Sequence, residues 1–326
     1  MSKKIFFGNY KGGVGKTTTV FEVGAVLANE HDKKVLLIDL DSQCSLSKIC
    51  AKISGGTLNQ LQVEKTLNFA IELYSEYVIN ADKIDLLEEK IQSNYNVISG
   101  ALVNIPKFSP GPGKLDYIPT VLDIKNARLN DLSERLSKDS ISVLSIAKLL
   151  NDIDENNEYD YILFDCPPSS NTIIQGTFLS CDYYLIPTIG DEISSDGVAD
   201  YITEIESTYL KYAYDNTIGS LLVRKYFGDK PKLIGILPTM YKARKNAAEN
   251  TQVLEALDKA VAALGTECVI KGTPYAAPGR DYIFDTHIPH LDNRSNPNDY
   301  GIPITISNGD IHTKYYNLAN IIAATV

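Results

Sequence analysis

The sequence lacks any long apolar run. Among its 326 residues, no window approaches the roughly 18 uninterrupted apolar residues that a membrane-spanning helix requires. No transmembrane helix and no membrane partner are therefore expected. The chain starts with the basic stretch Met1 to Lys4, and the apolar run behind it is short. That run is predicted to be a strand and not a signal peptide.

Paired cysteines are also missing. The five cysteines are scattered, odd in number, and include no C-x-x-C pair. This pattern disfavours a disulfide framework and a zinc site, and it indicates a reducing compartment. The cysteines are expected to be small buried side chains in a cytoplasmic protein.

Positive charge is scarce. The chain carries 31 Lys and Arg against 41 Asp and Glu, a net charge of −10, which disfavours nucleic-acid binding for the molecule as a whole. One segment differs, because eight basic residues and only two acidic ones lie between Lys211 and Lys245. Contact with a phosphate backbone needs such clustered Lys and Arg. The alternative is an ordinary solvated face.

Short, nearly continuous apolar runs alternate with helical stretches. Runs of this kind are typical of parallel strands buried on both faces. The predicted strands are Lys4–Gly8, Val35–Leu40, Tyr161–Asp165, Tyr183–Pro187 and Leu233–Leu237. The predicted helices between them are Thr17–Asn29, Ser140–Asp152, Ala199–Tyr212 and Ala247–Leu264. The alternation predicts an α/β fold, a doubly wound and mostly parallel sheet flanked by helices.

Residues 51 to 130 fit this alternation poorly. Leu67–Tyr77 and Asp82–Ile91 are predicted to be helical, Pro106–Gly113 is predicted to be a loop, and a further strand is expected near Tyr117–Ile118. No repeat, low-complexity tail or linker is evident. The chain is therefore expected to be one domain, 1–326, with a helical insertion at about 51–115.

A glycine-rich turn follows the first predicted strand. It belongs to "NYKGGVGKTTTV", residues 9 to 20, and a helical stretch follows it. Glycines let backbone N–H groups surround phosphate oxygens, and the helix N-terminus adds partial positive charge. Lys16 is predicted to reach the β- and γ-phosphates, and the Thr17 hydroxyl to bind Mg²⁺. The turn departs from G-x-x-x-x-G-K-[ST] because Tyr10 stands where the first glycine belongs.

The same turn holds a second lysine, Lys11. It precedes the loop, so it is predicted to point away from the phosphate that its own chain binds. A cation placed there is best used by a second molecule. If two subunits face each other across two nucleotides, each Lys11 acts on the partner's phosphates, like an arginine finger supplied in trans.

Carboxylates follow two predicted strands. Asp39 and Asp41 end one apolar run and Asp165 ends another. The carboxyl ends of parallel strands open on the ligand crevice. Mg²⁺ keeps several waters and takes few protein ligands, which suits one Thr and distant carboxylates. The alternative for each Asp is a solvated strand end that caps a helix, and spacing leaves open whether Asp39 or Asp41 matters more for hydrolysis.

These motifs together resemble the ParA/MinD family of deviant Walker A ATPases, closest to its small ParA (Soj-like) members. "KGGVGKTT" resembles the family's phosphate loop, "VLLIDLDSQCSLS" (35–47) its second motif, and "YDYILFDCPPS" (159–169) its Walker B strand. "LPTMYKAR" (237–244) and "FDTHIP" (284–289) are similar to its nucleotide-base loops, and "NDYGIPI" (298–304) to the motif before its last helix. In the second motif, Ser42 and Cys44 replace the family's usual Pro and Gly.

The resemblance implies a P-loop NTPase fold and an ATPase that uses ATP and Mg²⁺. It implies that Asp41 orients the attacking water, that Asp39 belongs to the Mg²⁺ shell with Thr17 and Asp165, and that Lys11, Lys16 and Asp41 are catalytic. The expected nucleotide contacts are Lys11, Gly12, Gly13, Val14, Gly15, Lys16, Thr17, Thr18, Met240 and Pro289. The expected DNA contacts are Lys242, Arg244, Lys245, Arg224 and Lys225.

The resemblance also implies partners. They are a homodimer formed with ATP, double-stranded DNA bound without sequence preference, and a ParB-like adaptor that stimulates slow hydrolysis, in a nucleoid-associated protein. The chain stops about ten residues after Tyr315–Tyr316, so the membrane helix of the MinD branch is not expected. Because the loop begins at residue 9, the winged-helix region of larger ParA proteins is not expected either.

Two other functions stay open at this point. One is a positioning ATPase of the same fold with a protein assembly as its cargo. The other is a P-loop enzyme that phosphorylates or ligates a small molecule.

Overall fold

Seven strands form a single sheet in the computed structural model, which describes residues 1–79, 101–106, 110–122, 127–138, 140–157, 159–190, 192–213, 225–241, 247–290, 303–307 and 309–326. The strand order is β3-β4-β2-β5-β1-β6-β7. All neighbouring strands are parallel except β3, which is antiparallel to β4. The strands are β1 (Lys3–Phe7), β2 (Lys34–Asp39), β3 (Val103–Ile105), β4 (Lys114–Ile118), β5 (Tyr161–Asp165), β6 (Tyr183–Ile189) and β7 (Lys232–Thr239).

Helices cover both faces of this sheet. They are α1 (Lys16–Glu30), α2 (Ser45–Ile53), α3 (Leu67–Ile79), α4 (Leu129–Leu136), α5 (Val143–Asn157), α6 (Thr172–Leu179), α7 (Glu192–Ala213), α8 (Ala247–Leu264), α9 (Ile304–Ser307) and α10 (Gly309–Thr325). Helices α1, α2 and α10 share one buried cluster with Ile5 and Phe7 of β1. Helices α3 to α8 supply side chains to the cluster that contains Phe6. Successive residues of β1 thus face opposite cores.

The apolar runs predict the strands correctly because the central strands are buried on both faces. Every residue of β5 is buried, and so is every residue of β1 after Lys3. Because neither face of these strands is solvated, both faces carry apolar residues and the sequence does not alternate. The doubly wound, mostly parallel sheet is confirmed.

The poorly fitting segment contributes to the main core. Helix α3 confirms the helix predicted from residue 67, and its Leu67 and Tyr74 belong to the same cluster as Phe6. β4 confirms the strand predicted near Tyr117–Ile118, whereas β3 and α4 were not predicted. The helix predicted at Asp82–Ile91 lies outside the described residues. Among the helices that the structure describes, none is both long and apolar enough to cross a membrane.

The topology brings five loops to one edge of the sheet. Strands β1, β2, β5, β6 and β7 are parallel, so the residues that follow them lie at the same end. These residues include the glycine-rich turn after β1, the Asp41 segment after β2, and Met240 after β7. In open α/β sheets, ligands bind outside the carboxyl ends of the strands. The candidate site is therefore at this edge.

Candidate nucleotide site

The glycine-rich turn forms an open cradle between β1 and α1. Gly13 and Gly15 have φ values of 72° and 82°, a left-handed conformation that favours glycine. A Cβ atom added to Gly12 or Gly13 would meet no atom within 4 Å. Backbone N–H groups of this loop can therefore approach a phosphate without obstruction from side chains.

Lys16, the first residue of α1, lies inside the loop. Its side chain is buried, and its Nζ donates hydrogen bonds to the carbonyl oxygens of Asn9, at 3.2 Å, and Lys11, at 3.0 Å. Burial lowers the pKa of the Lys16 ammonium, and Asp165 and Asp41 offset part of that effect. A bound phosphate would add an anion beside this buried cation and would also oppose the effect of burial on its pKa.

Tyr10 explains why the loop departs from the general pattern. Its ring packs edge-on against Tyr201 of α7, with ring centres 4.8 Å apart, and its hydroxyl donates a hydrogen bond to Glu204 of the same helix. Burial and the hydrogen bond to Glu204 raise the pKa of Tyr10. A glycine at position 10 would leave the loop without this attachment to α7.

Lys11 is half-buried beside the loop. Its backbone N–H donates to Asn9 Oδ1 at 3.0 Å, and its carbonyl accepts from Lys16. Asn9 in turn donates from Nδ2 to the carbonyl of Pro187 in β6 at 2.8 Å. These bonds fix the backbone of Lys11 relative to the sheet. The role of its ammonium in a second subunit stays a prediction.

Asp39 is a buried carboxylate that organises the turn after β2. Its Oδ1 accepts the Asp41 N–H at 3.1 Å, and its Oδ2 accepts the Ser47 N–H at 2.8 Å. Its backbone carbonyl accepts the Thr120 hydroxyl at 2.7 Å. Burial raises the pKa of Asp39 to about 6, although the bonds from Ser47 and Asp41 oppose the rise. Both carboxylate oxygens of Asp39 are thus engaged in holding the turn.

Asp165 lies beside Asp39 in the sheet and has different surroundings. It is buried, and its Oδ2 has no hydrogen-bond partner among the described residues. Burial and the nearby Asp39 raise its pKa well above the usual range, while a hydrogen bond from Thr17 and the charge of Lys16 oppose the rise. A buried carboxylate oxygen without a partner is costly unless a cation or water reaches it. Thr17 and Asp165 thus fit a magnesium site.

Asp41 is the more accessible of the two β2 carboxylates. It is half-buried, and its Oδ1 accepts the Gln43 N–H at 2.8 Å. The turn ends at Cys44, which has a φ of 54° and precedes α2. The family's usual glycine at this position suits that left-handed conformation, which an L-residue adopts at some cost. The structure therefore separates the two carboxylates: Asp39 is internal and Asp41 lies nearer the solvent.

The two predicted adenine contacts lie on paired segments. Met240 follows β7 with a φ of 52°, and the next residue, Tyr241, forms a parallel bridge with Pro289. Tyr241 N–H donates to the Ile288 carbonyl at 3.0 Å, and His290 N–H donates to the Tyr241 carbonyl at 3.2 Å. Both candidates are half-buried. The pairing brings them to one place beside the sheet edge.

Of the five predicted DNA contacts, Lys225 lies among the residues that the structure describes. Arg224, Lys242, Arg244 and Lys245 lie outside the described residues. Lys225 is exposed, and its Nζ is 5.8 Å from the ring centre of Tyr226, which is also exposed.

Three buried polar residues were not predicted from the sequence, two of them at the site and one further along α1. Asn9 and Thr239 bind backbone atoms of neighbouring elements, and both are buried. Glu22 in α1 is fully buried, and its carboxylate accepts the N–H groups of Ile304, at 2.8 Å, and Thr305, at 3.1 Å. Its charge within the apolar run Val20–Val26 is a sequence signal that could have identified it.

Comparison with known proteins places the sequence in one family. The AAA_31 family, described as an AAA domain, matches residues 2–218, more than half of the chain. Among curated proteins, the chain is 27% identical over 259 residues to the sporulation initiation inhibitor protein Soj of Bacillus subtilis, covering 79% of this chain and 80% of Soj. It is 26% identical over 243 residues to the chromosome partitioning protein ParA of Caulobacter vibrioides, covering 74% of this chain and 70% of that protein.

Solved structures share the fold. An ATP complex of an McdA variant from Cyanothece superposes with a TM-score of 0.64 at 17% identity, over 99% of this chain and 96% of that one. Cobyrinic acid a,c-diamide synthase from Mycobacterium smegmatis, with ADP and magnesium bound, superposes with a TM-score of 0.60 at 20% identity, over 98% of this chain and 93% of that one.

Proposed function

Because the chain belongs to the AAA_31 family and is a ParA/MinD-like P-loop ATPase, we propose that it is an ATP-dependent partition protein. Mg-ATP drives it into a homodimer that binds DNA, and slow hydrolysis of ATP releases the DNA. Nucleotide binding is supported above all by the open cradle at Gly12 and Gly13 beside the buried cation of Lys16.

Magnesium fits the carboxylates at the same edge. The Thr17 hydroxyl and, through water, Asp165 would hold the ion, with Asp39 in an outer position because its oxygens already accept two N–H groups. The partnerless oxygen of Asp165 supports this assignment. When bound, the ion supplies charge neutralisation on the β- and γ-phosphates.

The protein's own side chains divide the remaining tasks. Lys16 exchanges its two carbonyl acceptors for phosphate oxygens. Asp41, the accessible carboxylate, orients the attacking water. Lys11 of the second subunit adds positive charge where negative charge develops on the transferred phosphoryl group. The bonds through Asn9 hold the backbone of Lys11 ready for this contact.

The proposed partners are double-stranded DNA, bound without sequence preference, and a ParB-like adaptor that stimulates hydrolysis. The similarity to the chromosome partitioning protein ParA of Caulobacter vibrioides supports segregation as the task. The basic segment between Lys211 and Lys245, on an otherwise acidic chain, supports contact with phosphate backbones. The proposed location is accordingly the nucleoid in the cytoplasm.

A positioning ATPase with a protein cargo uses the same cycle, so it is the second candidate. A small-molecule ligase is the third, and the fold shared with the diamide synthase favours it. ATP turnover separates the third candidate from the first two. A partition or positioning ATPase is slow without its partner and DNA, whereas a ligase becomes fast when its small substrate is added.

The test is the mass of the Asp41→Ala protein in solution with Mg-ATP, with Mg-ADP and without nucleotide. A dimer with ATP alone is expected, since hydrolysis fails and the closed state persists. The Lys16→Ala protein is the matched control and should remain monomeric in all three conditions. A monomer of the Asp41→Ala protein at saturating ATP would refute the dimer.

A further inference from the structure

Thr239 joins the two sides of the candidate nucleotide site. It is the last residue of β7 and is 2% exposed. Its hydroxyl Oγ1 lies 2.8 Å from the carbonyl oxygen of Val14 in the glycine-rich turn and 3.0 Å from that of Thr188 in β6. The single hydroxyl hydrogen is therefore shared between the turn and the sheet.

Thr239 also immediately precedes the segment that carries one of the adenine candidates. The next residue, Met240, turns the chain through a left-handed conformation, and Tyr241 then pairs with the segment that carries Pro289. On the other side, Thr239 packs close to Gly15, because a Cβ atom added to Gly15 would lie 3.9 Å from Thr239 Cβ and Cγ2. One buried residue thus contacts the phosphate loop directly and starts the segment of the adenine candidates.

We propose that Thr239 is a positioning residue for ATP, whose hydroxyl fixes the spacing between the phosphate loop and the Met240–Tyr241 segment. The inference rests on the proposed nucleotide site and adds Thr239, which lies within the "LPTMYKAR" motif but is not among the contacts expected from the sequence. ATP spans both sides of that spacing, whereas inorganic tripolyphosphate engages only the phosphate loop. A change in this spacing should therefore weaken the binding of ATP more than the binding of tripolyphosphate.

The experiment compares two dissociation constants in each of four proteins. Magnesium complexes of ATP and of tripolyphosphate are titrated by calorimetry into the wild type, Thr239→Val, Thr239→Ser and Thr266→Val. Valine keeps the shape of threonine and removes the hydroxyl, and serine keeps the hydroxyl. Thr266 is a matched control, because it is 4% exposed and its hydroxyl has no partner among the described residues.

In Thr239→Val, the ratio of the ATP constant to the tripolyphosphate constant is expected to rise about tenfold, the effect of one lost hydrogen bond between buried groups. The ratio should stay within about twofold of the wild type in Thr239→Ser and Thr266→Val. The proposal is overturned if Thr239→Val binds both ligands as tightly as the wild type does, or if its affinity for both falls by the same factor.

Two further outcomes are also decisive. If the Thr239→Val protein does not fold, Thr239→Cys takes its place and is compared with Thr239→Ser, since both lack the methyl group and a thiol is a weaker donor than a hydroxyl. An unchanged ratio in that variant overturns the proposal, and a raised ratio supports it. If the wild type itself binds no ATP, the proposed function fails, which is distinct from failure of the role of Thr239.

Discussion

Asp39 and Asp165 are register partners at the carboxyl ends of β2 and β5. Both are buried, yet Asp39 accepts two backbone N–H groups while one oxygen of Asp165 has no partner among the described residues. Two adjacent buried carboxylates repel each other, and Asp39 helps to raise the pKa of Asp165. A cation at Asp165 would relieve this repulsion.

Asp165→Asn should therefore stabilise the nucleotide-free protein but weaken its interaction with Mg²⁺. Removing one of the two charges is expected to raise the melting temperature of the nucleotide-free protein by a few degrees. The same change should reduce the additional stabilisation that Mg²⁺ gives in the presence of ATP. Thermal unfolding with ATP, with and without Mg²⁺, measures both effects. A variant that is less stable without ligand, or that keeps the full Mg²⁺ effect, would contradict this assignment.

The buried ion pair of Lys4 and Asp154 should make stability depend on pH. Lys4 Nζ lies 2.9 Å from Asp154 Oδ2, and both side chains are at least nine-tenths buried. Burial by itself raises the pKa of Asp154, but the bonds from Lys4 and the Ser2 N–H outweigh it, so the pKa lies below its ordinary value of 3.8. The unfolded chain then binds the proton more readily, and the stabilisation is present above pH 4 and lost as pH falls below it.

Asp154→Asn is expected to cost about 3–5 kcal/mol of unfolding free energy at pH 7, because it leaves Lys4 buried without its counter-ion. The difference from the wild type should shrink as the pH falls below 4. Urea unfolding at several pH values measures it. Glu72→Gln is the control, since the Glu72–Arg135 pair is exposed and should matter by less than about 1 kcal/mol. An equal cost at every pH would count against the ion pair.

Glu22 should hold the C-terminal helices on α1. Glu22→Ala removes the acceptor of two buried N–H groups, so a loss of about 2–6 kcal/mol is expected. Glu22→Gln should lose less, since its amide oxygen can still accept one of them. Urea unfolding gives the free energies, and hydrogen exchange at the Ile304 and Thr305 amides locates the effect. Unchanged exchange at both amides in Glu22→Ala would show that these bonds are dispensable.

The sequence predicted the elements whose pattern is local. The continuous apolar runs of β1, β2 and β5 identify buried parallel strands, and the glycine-rich sequence between a strand and a helix locates the open turn between β1 and α1. β3 has only three residues, too few to carry a period, and its antiparallel pairing leaves no local signal. The bond from Thr239 to Val14 joins residues 225 positions apart, and it depends on the assembled sheet. Such side-chain-to-backbone contacts have no spacing rule.

The basic segment should bind DNA through phosphates. The triple variant Lys242→Ala, Arg244→Ala, Lys245→Ala is expected to weaken DNA retention by the ATP-bound protein and to flatten its salt dependence. Wild-type binding should fall about tenfold or more over a modest salt increase. Retention on DNA at several salt concentrations measures both effects, with Lys148→Ala as a basic-residue control on α5. Unchanged retention in the triple variant would remove the segment from the interface.

In the proposed dimer, two copies close over two nucleotides and each Lys11 acts at the partner's site. Lys11→Ala and Asp41→Ala proteins should each release little phosphate alone. Mixed in equal amounts before ATP is added, they form heterodimers in which the Lys11→Ala subunit keeps its own Asp41 and receives Lys11 from its partner. Phosphate release should then recover to about a quarter of the wild-type rate, since about half of the dimers have one complete site of two. No recovery, with heterodimers demonstrated in the mixture, would contradict a Lys11 that acts in trans.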